Sequence, residues 1–153
     1  MRTATLLLLV SIVAVSACGG PTPPPFKPIS DTKLLMQAVT DPNADLVWGA
    51  VRTIETKDGT EEIKPKTDEE WAVVRNAAVA VAESGNLMMM APRAKNGGEW
   101  MQLAQEMITA GEEAMKAAQA KNAEKLFTVG GDLYDTCSNC HRKYLDAIVN
   151  ANK

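Results

Sequence analysis

The sequence contains only one histidine, His141, among its 153 residues. Any site that needs two imidazole groups is therefore excluded. Positive charge is also scarce, because 16 Lys and Arg residues stand against 19 Asp and Glu residues. This balance excludes the strongly basic surface that is typical of nucleic-acid-binding proteins. Aromatic residues make up 5% of the chain, whereas alanine and methionine are frequent, and this bias favours helices over strands.

The longest apolar run lies at the N-terminus, from Leu6 to Val15, after the positive charge of Arg2. Small residues follow the run, and this order is typical of a secretory signal. The run is too short to form a stable membrane-spanning helix. We therefore expect residues 1–17 to be a signal peptide that directs the chain out of the cytoplasm.

The signal ends in "VSAC", where the small residues Ser16 and Ala17 directly precede Cys18. This pattern resembles the lipobox of bacterial lipoproteins. The resemblance implies that the Cys18 thiol carries a diacylglyceryl group and that Cys18 becomes the new N-terminus. Ordinary cleavage after Ala17 would instead leave a thiol without a role. Several acyl chains attach a protein stably to a membrane, since each buried methylene contributes about 0.8 kcal/mol.

The stretch "GGPTPPPFKP", residues 19–28, contains five prolines in ten residues. Such a segment cannot form a helix or a central strand, so we expect a semi-extended tether over residues 18–29 and a folded domain over residues 30–153. Gly19 stands where inner-membrane retention signals usually carry Asp. The lipoprotein resemblance thus favours the periplasm, with the lipid in the inner leaflet of the outer membrane.

Four segments after residue 30 have helical periodicity, and we identify no alternating strand pattern there. In the last three segments, apolar or small residues recur every three or four positions. The three series are Trp71, Val74, Ala78, Val81, Gly85 and Met88; Met101, Ala104, Ile108, Gly111, Met115 and Ala118; and Phe127, Gly130, Tyr134, Cys137, His141, Tyr144 and Ile148. This spacing is close to the heptad of antiparallel bundles. We therefore expect an all-α antiparallel four-helix bundle.

Pro42 interrupts the first helical segment. A proline inside a helix removes a backbone hydrogen bond and clashes with the preceding turn, at a cost of about 3 kcal/mol. We expect either a kink at this point or a split helix in which Asp41 is the N-cap and Pro42 the first helical residue. Thr67 with Glu70 three residues later predicts a capping box at the start of the second helix. The stretch "TKDGTEEIKPK" before it is predicted to be a polar connection.

Three kinds of site were considered for "YDTCSNCHRKY", residues 134–144, which places Cys137, Cys140 and His141 together. A redox-active pair belongs to a strand–helix unit of a thioredoxin-like fold, and no such strands are evident. A structural zinc site needs about four ligands, and only three soft ligands occur here. Covalent haem attachment is marked directly by the Cys-x-x-Cys-His motif.

Haem attachment accounts for the spacing of the motif. Each thiol adds to one haem vinyl group, and thiols one helical turn apart reach the two vinyls on one edge of the ring. His141 follows at once and supplies the proximal ligand of the iron. All three cysteines then have a role: Cys18 holds the lipid, and Cys137 and Cys140 hold one haem c through two thioethers.

A Cys-x-x-Cys-His motif on the last helix of a four-helix bundle resembles the class II c-type cytochromes, the cytochrome c′ and cytochrome c-556 group. "DTCSNCHRKY" matches their attachment segment, including Tyr144 three residues after His141. The likeness covers the mature domain in helix order and motif position. The segments "DPNADLVWGAV" and "TKDGTEEIKPK" are longer than in short cytochrome c′ chains, and they are similar to a lipoprotein-anchored branch.

This resemblance implies that the first helix covers the distal face of the haem. Low-spin members place a methionine there, whereas cytochrome c′ members place an apolar residue and leave the iron five-coordinate. Met36 lies on the apolar phase of the first segment, and a thioether is a soft ligand that raises the haem potential. We therefore expect Met36 to be the distal ligand. A methionine on an apolar helix face is more often a packing residue, and other methionines remain candidates.

Two further groups of residues were weighed for contact with the haem. Three tryptophans are expected to pack in the core or against the haem rather than to relay electrons: Trp48, Trp71 and Trp100. Three cations could pair with the haem propionates, although solvated loop charges are expected: Lys33, Arg93 and Lys95.

These expectations define two functions. A haem with His and Met ligands would carry single electrons to and from periplasmic redox partner proteins, without enzymatic activity. A five-coordinate haem would instead bind nitric oxide or carbon monoxide. A peroxidase-like catalytic haem is disfavoured, because no distal histidine is present to act as an acid–base catalyst. The sequence leaves open whether two copies associate as a homodimer.

Overall fold

A computed structural model describes residues 25–95 and 97–150, with side chains described for residues 25–95 and 97–145. The predicted signal peptide, Cys18 and the tether up to residue 24 lie outside the described residues, as does the side chain of Ile148. Residues 25–31 form neither helix nor strand.

The described part of the chain is mostly helical. In chain order its elements are α1 (Thr32–Leu35), a π-helical stretch (Met36–Thr40), α2 (Asp41–Ala50), β1 (Arg52–Thr56), β2 (Gly59–Ile63), α3 (Asp68–Met89), α4 (Glu99–Gln119) and α5 (Ala123–Asn150). The first three of these elements follow each other without a gap, and we refer to them together as the first helical segment. No helix of the described residues is both long and apolar enough to cross a membrane.

The first helical segment continues through Pro42. Asp41 has helical dihedral angles, φ −59° and ψ −53°, and its N–H donates to the carbonyl of Met36 five residues earlier. A π-type hydrogen bond of this kind widens the helix by one residue. The side-chain amide of Asn43 also donates to the carbonyl of Val39 (2.7 Å). The backbone pattern thus changes next to Pro42, but the predicted N-cap at Asp41 is wrong.

The predicted polar connection after α2 is instead largely an antiparallel hairpin of β1 and β2, in which Arg52 pairs with Ile63 and Thr56 with Gly59. The described chain is mostly helical, as the all-α prediction requires, and this small two-stranded sheet is the exception to it. Gly59 lies in the turn with φ +139°, a conformation that glycine adopts without strain. Nearly all residues of both strands are exposed. Because neither face of the hairpin is buried, its sequence lacks the apolar alternation that normally reveals a strand.

The predicted start of α3 is confirmed. The Thr67 hydroxyl accepts from the N–H of Glu70, and the Glu70 carboxylate accepts from the N–H of Thr67, each at 3.2 Å. Hydrogen bonds from the backbone N–H groups of Lys66 and Thr67 lower the pKa of Glu70. The apolar series predicted for α3, from Trp71 to Met88, is buried throughout.

Glycines let α3 and α4 approach each other closely. A Cβ atom added at Gly85 would lie 2.5 Å from Cγ1 of Ile108, and one added at Gly111 would lie 2.8 Å from the backbone nitrogen of Ala82. Both distances are shorter than side-chain carbons tolerate. The two backbones therefore pack at a separation that any larger residue would prevent. The predicted α4 series is buried at its small residues and only half-buried at its larger ones, which are Met101, Ile108 and Met115.

The buried face of α5 is rotated by about one residue from the predicted one. The fully buried residues are Leu126, Val129 and Leu133, whereas Phe127 and Tyr134 of the predicted series are 64% and 61% exposed. His141 is exposed as well. The series from Phe127 to Ile148 is therefore wrong as a core seam, although its members Gly130 and Tyr144 are buried.

Contacts connect the helices in a ring. The first helical segment contacts α3 and α5, and α4 contacts both α3 and α5. Lys121, after α4, pairs with Asp68 at the start of α3 at 2.5 Å. Lys143, late in α5, pairs with Glu99 at the start of α4. These contacts place the first helical segment beside α5, and a cavity lies between them.

Candidate functional site

A cavity of about 290 Å³ lies between the first helical segment and α5. Its volume is close to the lower end of the range of about 300–1,000 Å³ that is usual for ligand and cofactor sites. All four residues that the sequence assigned to a haem line this cavity: Met36, Cys137, Cys140 and His141. Residues that lie a hundred positions apart in the chain are therefore brought together at one site.

One turn of α5 presents the motif. Cys137 and Cys140 are three residues apart, so their side chains are neighbours on the helix surface. Both thiols are free and partly buried. His141 follows directly and is exposed at the edge of the cavity. The helix thus positions two thiols and an imidazole along one wall.

Burial raises the pKa of both thiols. The negative charge of Asp41 raises the pKa of Cys137 further, while a hydrogen bond with Thr136 lowers it. Redox-active cysteines need a lowered pKa, because the thiolate is the reactive form. This environment does not fit a thioredoxin-like pair. Within the described ranges, no group of three or more His, Cys, Asp or Glu side chains is arranged to hold a metal ion.

The relative position of the first helical segment and α5 is set by two contacts. The indole N–H of Trp48 donates to the carbonyl of Gly130 at 2.9 Å. Seven residues earlier, Asp41 lies near enough to Cys137 for its charge to act on the thiol. The first helical segment and α5 therefore run in opposite directions here, so that residues earlier in the first segment lie beside residues later in α5.

From the same correspondence we expect Met36 to lie near the level of His141. Met36 lies five residues before Asp41, about 7 Å along a helix axis, and His141 lies four residues after Cys137, about 6 Å along its axis. Both residues line the cavity, one on each side. His141 of α5 and Met36 of the first helical segment would thus both be available to hold a group bound between the two helices.

The remaining walls are mainly apolar and come from α2, α3, α4 and the end of α5. They comprise Ala44, Trp48, Met88, Trp100, Leu103, Ala104, Met107 and Leu145. Leu145 is 44% exposed although it faces the cavity. Trp100 is buried and donates from its indole N–H to the carbonyl of Met88 at 2.8 Å. As predicted, Trp71 and Trp100 are core residues, and Trp48 packs at the cavity wall.

Two further methionines reach the cavity. Met88 and Met107 are buried, with 4% and 8% exposure, whereas Met36 is partly exposed. Met101, which the sequence left as a candidate, is not among the lining residues. Sequence reasoning did not single out Met107. Its position three residues after the buried Ala104 is the signal that could have found it.

Two buried polar residues, Thr32 and Thr40, line the cavity, and Thr40 is the unusual one. It is 4% exposed, and its hydroxyl is the only buried side-chain nitrogen or oxygen without a hydrogen-bond partner among the described residues. A threonine in a helix usually bonds to a carbonyl one turn earlier. The Thr40 hydroxyl makes no such bond in the structure. Sequence reasoning missed Thr40.

The three cations weighed for haem propionates lie in different places. Arg93 is buried and donates to the carbonyls of Ser30 (3.1 Å) and Leu87 (3.0 Å). The prediction of a solvated loop charge is therefore wrong for Arg93, which ties the start of α1 to the end of α3. Lys33 and Lys95 are exposed, and of the three cations only Lys33 lines the cavity.

The donor set at this cavity fits a haem. Two thiols on one helical turn, an adjacent imidazole and a thioether on the facing helix match the attachment and axial ligation of a c-type haem. The apolar walls match the ring.

No protein-family model, curated protein or solved structure matches this chain. The functional argument therefore rests on the motif and on the geometry of the cavity.

Proposed function

We propose that this protein is an exported mono-haem c-type cytochrome of the class II kind, which carries single electrons between periplasmic redox partners and is not an enzyme. The observation that carries the proposal is that Met36 and the motif residues Cys137, Cys140 and His141 line one cavity. Met36 lies on a different helix from the three motif residues. If the motif had arisen by chance, nothing would require a methionine to line the same cavity.

The architecture that we propose is an antiparallel four-helix bundle with the haem on its last helix. The ring of helix contacts supports this arrangement. So do the ion pairs that join Lys121 to Asp68 and Lys143 to Glu99, because each pair joins the end of one helix to the start of another. The exposed hairpin of β1 and β2 is an addition between the first and second helices of this bundle.

Each residue has a distinct part in this proposal. Cys137 and Cys140 would fix the ring to α5, His141 would hold the iron from the α5 side, and Met36 would hold it from the first helical segment. A bound haem supplies a one-electron ferric–ferrous couple. The thioether of Met36 favours the ferrous state and so raises the potential. With both axial positions filled, the chain needs little rearrangement when an electron arrives or leaves.

The cavity walls also contribute to electron transfer. Trp100, Leu103 and Met107 exclude water from the interior, while the exposed residues Lys33 and Gln37 line its outer side. One edge of a bound ring would therefore approach the surface between the first helical segment and α5. This is the region where a redox partner would have to dock.

The absorption spectrum of the exported protein in both oxidation states tests the proposal. We expect haem that stays with the polypeptide after acid–organic extraction, because the two thioethers are covalent. We also expect low-spin iron with a sulfur-to-iron charge-transfer band in the ferric state. Haem that is extracted from correctly matured protein would contradict the proposal.

The second candidate is a five-coordinate haem protein that binds nitric oxide or carbon monoxide. The observation in its favour is that the buried Ala44 of the first helical segment also lines the cavity, because the resemblance implies an apolar residue on this helix in five-coordinate members. A high-spin ferric spectrum without the charge-transfer band would favour this candidate over electron transfer.

We further propose that Cys18 carries a lipid that holds the protein in the inner leaflet of the outer membrane. The support is the "VSAC" sequence followed by the proline-rich tether. Cys18→Ala is expected to move the protein from the membrane fraction to the soluble fraction, with its haem content unchanged. Equal membrane retention of the variant would show that another feature anchors the chain.

A further inference from the structure

α5 exposes two aromatic side chains that the sequence pattern assigned to the core. Phe127 is 64% exposed and Tyr134 is 61% exposed. Tyr134 meets Trp48 of α2 edge-on, with 6.0 Å between the ring centroids and 65° between the ring planes. These three rings and the backbone of Gly130 and Gly131 line an apolar groove between α2 and α5. An exposed apolar patch of this kind commonly marks an interaction surface.

The two exposed rings belong to one row of residues along the outer side of α5. The members of this row are three or four residues apart, so they lie on one face of the helix, with the spacing that helices use to pack against each other. All of them are exposed except Ser138, which is half-buried. We call this set the outer stripe: Glu124, Phe127, Gly131, Tyr134, Ser138 and Arg142.

The outer stripe is complementary to a second copy of itself that runs in the opposite direction. In an antiparallel pair of α5 helices centred between Gly131 and Tyr134, the ring of Tyr134 would meet Gly131 of the second copy, and Phe127 would meet its Ser138. A Cβ atom added at Gly131 would have nothing within 4 Å in a single copy. This position is therefore a hole that a ring of the second copy could fill, and large side chains oppose small ones along the whole contact.

The charges of the outer stripe fit the same antiparallel arrangement. Glu124 lies at one end and Arg142 at the other, so each would face the opposite charge of the second copy. Neither forms an ion pair with another described side chain. The guanidinium of Arg142 donates to the side chain of Asn139 on its own helix, a contact that leaves its charge without a carboxylate among the described residues. A parallel pair would instead place like charges together.

We propose that a second copy of this chain docks on the outer stripe, so that two α5 helices pack antiparallel about a twofold axis. Such a contact is isologous, because the same patch on each copy meets its equivalent on the other, and every favourable pair therefore occurs twice. The proposal is independent of the proposed function, since no residue of the outer stripe is assigned to the haem or to the lipid.

Sedimentation equilibrium of the exported full-length chain tests the proposal, in a Cys18→Ala background that removes the proposed lipid and the need for detergent. The parent should reach twice the mass of one chain. Glu124→Arg and Arg142→Glu each place like charges at both ends of the contact, so each should weaken dimerisation about tenfold. The double variant exchanges the two charges and should restore it. Glu112→Arg, a reversal at an exposed position of α4, is the control and should change nothing.

A second variant tests the apolar part of the contact. Phe127→Ala removes two rings from each dimer and should weaken dimerisation about a hundredfold. Because Phe127 is largely exposed in a single copy, its loss should leave the helix content by circular dichroism unchanged. Val73→Ala, which truncates a 52% exposed side chain of α3, is the matched control and should leave both the mass and the helix content unchanged.

A parent protein that stays a single chain up to about 1 mM, where even very weak contacts form, would overturn the proposal. Dimers that persist unchanged in both charge reversals and in Phe127→Ala would overturn it too, because the copies would then meet through another surface. A double variant that stays as weak as the single reversals would contradict the antiparallel arrangement.

Discussion

The two halves of this molecule are packed in different ways. Between α3 and α4, the helices meet through small residues, and Gly85 and Gly111 leave no room for even one additional carbon atom. Between the first helical segment and α5, the helices enclose a cavity of about 290 Å³. Along α5, Phe127 and Tyr134 remain largely exposed. We call these the closed half and the open half.

The comparison indicates that one half of the molecule mainly provides stability and the other half contains the candidate site. In the closed half the apolar series of α3 is buried throughout, and Gly85 and Gly111 leave no space between the two helices, so this half mainly determines the fold. The open half contains the motif residues Cys137, Cys140 and His141 together with Met36, whereas Met88 and Met107 reach the same cavity from the closed half. A cavity lined by apolar side chains loses contacts that a bound group would restore. The open half should therefore depend on its occupant, and the closed half should not.

The largest expected effect follows from removing both attachment points. Cys137→Ala with Cys140→Ala should abolish covalent haem completely, because no other described thiol lines the cavity. Without the group, amide hydrogen exchange should accelerate in the first helical segment and in α5. The α3–α4 pair should keep most of its protection.

Exchange measured residue by residue on the matured parent and on the double variant provides the comparison. Cys18→Ala serves as the control for loss of a cysteine, since Cys18 is not assigned to the haem. Uniform acceleration across all helices would show that the two halves unfold together, and the distinction between them would then be lost.

The next largest effect concerns the ligand on the first helical segment. Met36→Leu keeps volume and apolarity, so its cost in stability should stay below about 1.5 kcal/mol. It removes the thioether, and the iron should become high-spin and five-coordinate. The reduction potential should fall, since the sulfur favours the ferrous state. Absorption spectroscopy and a redox titration measure both changes.

Met88→Leu and Met107→Leu are the matched controls for Met36→Leu, because both methionines line the same cavity. Neither variant should alter the spin state. A wild-type spectrum and potential in Met36→Leu would identify Met36 as a packing residue. A change in one of the two controls would then identify the ligand.

A smaller effect tests the closed half. Gly111→Ala should destabilise the protein by about 1–3 kcal/mol, because the new methyl group would meet the backbone of Ala82 at 2.8 Å. The gain in helix propensity, about 1 kcal/mol, opposes this cost only in part. Gly131→Ala is the control in the open half. A Cβ at Gly131 meets nothing within 4 Å, so that variant should be stabilised by about 1 kcal/mol. Urea denaturation measures both values, and equal effects would contradict the difference in packing.

The smallest effect concerns the start of α3. Thr67→Ala removes the hydroxyl that accepts from Glu70 N–H and should cost about 1 kcal/mol in urea denaturation. The Glu70 side of the capping box depends on pH, because its pKa is lowered in the folded protein. Its contribution is therefore complete above the ordinary pKa of glutamate and is lost as the pH falls through the lowered folded value.

Glu70→Gln tests that dependence. The variant should be less stable than the parent at neutral pH and should approach the parent in strong acid, where Glu70 is protonated in both states. A constant difference between the two proteins at all pH values would show that the charge of Glu70 does not contribute. Glu83→Gln, at a position of α3 beyond the cap, is a control for the loss of one carboxylate.

Local sequence signals determined much of this protein. The capping box at Thr67 and the buried series of α3 were read correctly because both depend only on residues within one turn or one helix. The Cys-x-x-Cys-His motif can also be recognised without knowledge of the fold, because its chemistry needs only one turn of α5. These features depend on how many residues separate the side chains involved, and this spacing can be read directly from the sequence.

Tertiary structure decided the rest. Which face of α5 is buried depends on where the first helical segment lies. The sequence pattern alone therefore predicted a buried face that differs from the observed one by about one residue. The exposed hairpin gave no apolar alternation, because it packs on nothing that would require it. Met36 shares a cavity with Cys137, Cys140 and His141 only because the first helical segment packs beside α5. A pattern within one helix records that helix's own period, whereas the shape of a cavity depends on how several helices pack against each other.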